Sequence, residues 1–98
     1  DAVLALMVTE RLLTVAPDAS VGLLTPRRAE LVADAALARS ASQLGLGPLL
    51  RLGRGERLTG GGEKASVLAT AFEAILGAVY LDGGLPAARA VVGRLSVW

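Results

Sequence analysis

The sequence predicts an all-α domain, and three observations predict it. Of the 98 residues 53% are hydrophobic but only 3% are aromatic, so a core must be built from Leu, Val, Ile and Ala. That palette suits packed helices better than a β-sandwich, which draws on β-branched and aromatic side chains. Apolar residues recur at helical rather than alternating spacing. Glycine and proline cut the chain into five helix-length pieces, leaving no convincing strand and no internal repeat. A chain of this length holds one core and not two, so residues 1–98 read as one domain.

The first piece, Asp1–Val15, sets Val3, Leu4, Met7, Leu12 and Val15 near one face, with Glu10 and Arg11 on the other; Pro17 and Asp18 end it. Ser20 could cap the second helix, but Pro26 would then lie deep inside it. Thr25 as N-cap with Pro26 in the first helical position is the cleaner start, and it turns Leu31 and Val32 inward. Asp34 caps a third helix, Ala35–Leu44, which Gly45 terminates. Gly47–Leu52 is a short apolar piece. Gly53–Lys64, with Gly at 53, 55, 60, 61 and 62, is the one clear loop. Ser66 caps the most apolar helix, Val67–Leu81, which stops at Asp82-Gly83-Gly84, and Pro86 opens the last, Ala87–Leu95. Apolar residues cover nearly all sides of Val67–Leu81, the pattern of a surrounded helix, so it is predicted to be the most buried.

Composition excludes several chemistries. There is no Cys, which rules out disulfides, zinc ribbons and thiol nucleophiles and fits a reducing, cytoplasmic setting. There is no His to act as base or ligand, so any hydrolysis must rest on carboxylates, most plausibly through a metal ion. Ten basic against nine acidic residues give a net charge of +1, too balanced to indicate a polyanion. Mean hydropathy is high, +0.57, yet no uninterrupted apolar run approaches the ~18 residues that span a bilayer. No membrane is expected; the excess suggests a face that buries a partner. The chain opens on Asp1 within an apolar-periodic segment, with neither Met nor a signal pattern, and reads as a fragment.

One residue stands out chemically. Glu73 lies among Phe72, Ala74, Ile75 and Leu76. A carboxylate there needs a partner, a cation or a water-lined site. Pairing with an arginine at the helix edge and a functional site are about equally consistent with the pattern. Asp1, beside Ala2-Val3-Leu4, poses the same question, with an N-cap as its structural role.

Six ordered blocks then resemble the ribonuclease III family. Asp1-Ala2-Val3-Leu4 matches the end of its signature, E-R-L-E-F-L-G-D-A-V-L. Residues 17–25, from Pro17 to Thr25, resemble P-x-x-S-E-G-D-L-T, and Arg28-Ala29-Glu30-Leu31-Val32 resembles R-A-x-L-V. Leu44-Gly45-Leu46-Gly47 and Leu52-Gly53-Arg54-Gly55-Glu56 match L-G-L-G and L-G-x-G-E. The stretch from Gly60 to Gly84 resembles G-G-x-x-K-x-S-I-L-A-D-x-x-E-A-L-I-G-A-I-Y-L-D-G-G.

The resemblance implies a ribonuclease III endonuclease-like helical bundle, partial here, with the signature helix cut on its N-terminal side. It implies a homodimer in the full-length protein and Mg²⁺-dependent (or Mn²⁺-dependent) cleavage of double-stranded RNA, with RNA read through backbone and 2′-hydroxyl groups. Asp1 and Glu73 match family metal ligands, and so are the implied catalytic pair. Thr70 stands where the family has an aspartate, Val21 where it has the glutamate of S-E-G, and Leu23 where it has the following aspartate. These replacements point to a weakened metal site, because a hydroxyl is a far poorer Mg²⁺ ligand than a carboxylate. Arg51, Arg54, Arg57 and Lys64 border the glycine loop; Arg54 and Lys64 are taken as RNA contacts, against an ordinary solvated surface diluted by Glu56 and Glu63. The competing expectation is a degenerate relative that binds RNA or a partner without cutting; an unrelated helical interaction module is the remote third.

Overall fold

The computed structural model describes residues 2–95, and those residues form helices and turns with no strand among them. The first helix, α1 (Ala2–Val15), buries Leu4, Met7, Val8 and Leu12, a stripe at helical spacing. Then α2 (Val21–Val32) buries only Leu31. A single extended residue, Ala33 (ψ 152°), separates it from α3 (Asp34–Gln43). Five of the ten residues of α3 are buried, namely Ala36, Leu37, Ala38, Ser40 and Ala41. Small side chains let α3 lie close on α5 (Ala65–Gly93), and this pair forms the main seam of the domain. Phe72 and Leu76 of α5, both 0% exposed, are its centre.

The end of α3 follows the expectation for Gly45. Its φ of +70° is the left-handed turn that glycine adopts without steric cost. Leu46 N–H reaches back to Ala41 O (3.1 Å) and Gly45 N–H to Ser42 O (3.0 Å), the paired bonds of a Schellman close.

Several sequence expectations are corrected. The second helix does not wait for Pro26: Leu23 and Leu24 both donate to Ser20 O at 3.0 Å, closing the first turn at Val21. Pro26 therefore sits inside α2 and forfeits one helical bond. Ser20 holds the cap position, but its hydroxyl makes no cap bond. The third helix starts at Asp34 itself, behind Ala33. The segment read as loop contains α4 (Arg54–Leu58) and a 3₁₀ turn, Gly61–Glu63, and a second 3₁₀ turn covers Gly47–Leu49. Glycines there make room rather than disorder. A side chain on Gly47 would bring a Cβ within 2.6 Å of Gly62 O, and one on Gly61 within 2.5 Å of Glu56 Cγ.

The predicted stop at Asp82–Gly84 is a kink: Gly84 (φ 72°, ψ −171°) breaks α5 into the two helices read from the sequence. The core stripe of the first half is Leu68, Ala69, Phe72 and Leu76. Its opposite side, Thr70, Ala74, Ile75, Ala78 and Leu81, is exposed. This helix is therefore not enclosed on all sides, and α3 buries the larger share of its residues. By length and composition α5 is sufficient to cross a membrane, which a search for an unbroken apolar run does not register. Here its apolar stripe is the core against α3 and α1.

The domain is elongated, 49 × 28 × 20 Å, with a radius of gyration of 14.4 Å against about 12.5 Å for a typical domain of this length. Its surface of 6084 Å² likewise exceeds the roughly 5,200 Å² usual for its mass.

Candidate nucleic-acid interface

The open face of α5 follows from its sequence. Burying Phe72 and Leu76 against α3 turns the stripe on the far side of the helix outward. Glu73 lies between the two stripes and is half-buried; it is not without a bonding partner. Thr70, one turn earlier, is exposed, and its hydroxyl donates to Ser66 O at 2.9 Å. That back-bond is a common use of threonine within a helix. Asp1, the other implied metal ligand, lies outside the described residues. Val21 (78% exposed) and Leu23 (70%) present bare hydrocarbon to solvent on α2.

Whether these residues suit a magnesium ion follows from the donor set. Among the described residues no three carboxylates converge. Mg²⁺ takes oxygen ligands in near-octahedral array, with carboxylates supplying the charge. Glu73 with a hydroxyl already committed to a carbonyl does not meet that requirement, so the described residues by themselves do not fit the ion.

The basic margin is also more specific than its composition. Lys64, directly before α5, sets its ammonium 3.0 Å from Glu56 Oε1 and donates to Thr59 Oγ1 at 3.3 Å. It pins α4 to the start of α5. Arg57 Nη2 donates to Leu50 O at 3.0 Å, bracing the preceding turn. Arg54 and Arg51 are exposed and form no ion pair among the described residues. Of the two cations assigned to RNA from the sequence, Arg54 is thus uncommitted and Lys64 is held. The sequence signal for the difference was Glu56, read only as dilution of charge and not as the specific partner of Lys64.

Fold and site together define a small all-helical domain with one carboxylate beside the open face of its core helix and a cationic glycine turn at that helix's start. A sequence model described as Ribonuclease-III-like matches residues 1–97, and the chain belongs to that family. Ribonuclease 3 of Thermobifida fusca is 52% identical over 95 residues, covering 97% of this chain and 40% of that protein. Ribonuclease 3 of Streptomyces coelicolor is also 52% identical over 95 residues, covering 97% of this chain and 34% of that protein. The chain thus spans well under half the length of these relatives. Among solved structures, the nuclease domain of ribonuclease III from Campylobacter jejuni superposes with a TM-score of 0.90 at 38% identity, covering 95% of this chain and 65% of that one. That work describes structural flexibility in a region involved in dimer formation.

Proposed function

We propose that the chain is the nuclease-domain part of a cytoplasmic endoribonuclease that processes double-stranded RNA and pairs as a homodimer. The observation that carries this reading is the Ribonuclease-III-like match over residues 1–97, and the sequence resemblance that pairs Glu73 with a family carboxylate supports it. Exposed apolar side chains on α1 and α5 support self-association: Leu13 is 48% and Leu81 85% exposed, and such surface is what a partner buries. Asp1 and Glu73 are the carboxylates this chain offers to Mg²⁺ or Mn²⁺, and Arg54 with Lys64 the cations it offers to phosphate.

A second reading, binding without cutting, is favoured by Thr70, by Val21, and by the lack of three converging carboxylates among the described residues. The experiment that separates the two measures binding and cleavage of one RNA duplex with Mg²⁺ or Mn²⁺. It compares the native chain with the Val21→Glu/Thr70→Asp variant. The native chain is expected to bind without cutting at a useful rate, and the variant to gain cleavage. Robust cutting by the native chain refutes the weakened site. Absence of RNA binding by both refutes the RNA-directed function itself.

A further inference from the structure

Two helical stripes meet where α2 packs on α1. Thr9 and Leu12 lie three residues apart on α1, and Val21, Leu24, Thr25 and Arg28 follow at i, i+3, i+4 and i+7 on α2. Together they line a groove of about 260 Å³. Its walls are mostly hydrocarbon. Helix α2 buries only Leu31, and Val21 lines the groove while remaining 78% exposed, so the trough stands open to water.

The polar groups at its margin are few and unequally used. The Thr9 hydroxyl is spent on Ala5 O at 2.8 Å. The Thr25 hydroxyl and the Arg28 guanidinium, one turn apart, form no side-chain hydrogen bond or ion pair among the described residues. The acids of the same two helices are engaged elsewhere, Glu30 with Arg27 at 2.9 Å and Glu10 with Arg89 at 2.7 Å. At position 21, where the resembled family has a carboxylate, this chain has a valine. The groove thus keeps a cation and lacks an anion.

That combination selects its occupant. A nucleic-acid backbone is held by several cations that neutralise successive phosphates, and one arginine beside hydrocarbon does not supply them. A helix laid into a trough uses apolar anchors at i and i+3 or i+4, and a carboxylate on it would pair with Arg28 through a forked contact. The stripe from Val21 to Arg28 runs about 10 Å, two helical turns, enough for two anchors and one carboxylate. We propose that the α1–α2 groove docks an amphipathic helix of a second protein, one that carries apolar side chains a turn apart and an aspartate or glutamate a turn beyond them. The inference goes beyond the RNA-directed reading and does not depend on it.

The test uses a fluorescein-labelled synthetic helix with leucines at i and i+4 and glutamate at i+7, followed by fluorescence anisotropy. Two companion helices carry glutamine or lysine in place of that glutamate. The native chain is expected to bind the glutamate helix about five- to tenfold more tightly than the glutamine helix, the worth of a charge-assisted contact at an open site. Arg28→Glu, at an exposed position, should reverse the order and favour the lysine helix, a gain that a misfolded variant cannot produce. Val21→Glu, which returns an anion to the groove, should erase the preference for glutamate. Equal affinity for the three helices, or binding of none, overturns the proposal. Dimers of the native chain that Arg28→Glu dissociates assign the groove to a second copy and overturn it too. So does displacement of the glutamate helix by an RNA duplex that the Arg28→Glu variant no longer binds. Failure of RNA binding alone sinks the RNA-directed reading and leaves the groove standing.

Discussion

The Arg89 guanidinium holds the Glu10 carboxylate with two nitrogens, Nε to Oε2 at 2.9 Å and Nη2 to Oε1 at 2.7 Å, joining α1 to the last turns of α5 across 79 residues. Fork-to-fork pairing of this kind fixes direction as well as distance. The hydrogen bond from Arg89 holds the Glu10 carboxyl below its ordinary 4.5; slight desolvation opposes this, and the charge of Arg89 adds to it. A carboxyl depressed in the folded state stabilises fully above its unfolded value, and that contribution is lost as pH falls through the folded value. Melting temperature should therefore decline below about pH 4.5, with Glu10→Gln flattening that part of the curve. Because the pair is exposed and screened, the change at pH 7 should be small and should shrink further in high salt.

Phe72 is the largest fully buried side chain of the seam between α3 and α5. Phe72→Ala should cost about 3–5 kcal/mol, lost burial plus an unfilled cavity. Against a total of roughly 5–15 kcal/mol for a domain, most of the stability goes. Urea unfolding followed by circular dichroism measures it; a midpoint near that of the native chain contradicts the packing described.

Glycine positions divide into required and incidental. Gly47→Ala drives a methyl into the Gly62 carbonyl at 2.6 Å and meets backbone that cannot swing away. A loss of about 1–3 kcal/mol is expected, as for other overpacked sites. Gly53→Ala finds nothing within 4 Å and an ordinary backbone (φ −61°), and should leave the melting temperature nearly unchanged. Equal effects in the two variants would show that the turns do not abut.

Thr70→Asp places a carboxylate one turn before Glu73. Without metal the like charges should destabilise the helix by a few tenths of a kcal/mol. With Mn²⁺ that loss should reverse, since an added oxygen anion is what the site lacks. Mn²⁺ titration by electron paramagnetic resonance reads this directly. Affinity in the variant no better than in the native chain would mean that residues 70 and 73 do not share a metal.

Much of this architecture was legible because backbone chemistry writes itself locally. Gly45 ends α3 through its left-handed turn, and Gly84, the last residue of the stop read at Asp82–Gly84, breaks α5. The all-α class followed from composition and period. The start of α2 was misplaced because Pro26 signals a helix beginning, yet packing of Leu31 and the Ser20 carbonyl bonds carry the helix through it. Within Gly53–Lys64 the structure comes from the Glu56–Lys64 and Arg57–Leu50 contacts, which no local propensity encodes. Glu73 was singled out by its apolar neighbours, but its half-buried depth depends on which side of α5 meets α3. The open side of α5 could not be foreseen, since an all-round apolar helix looks the same whether its last face meets its own chain or another.

A thickness of 20 Å has a mechanical meaning for the seam around Phe72. No atom of the domain lies much more than 10 Å from water along that axis, so the interior is a single sheet of side chains with no reserve layer behind it. Amide protons there are shielded by one row of neighbours, and protection from solvent exchange should vanish along the whole row together rather than retreat inward by stages.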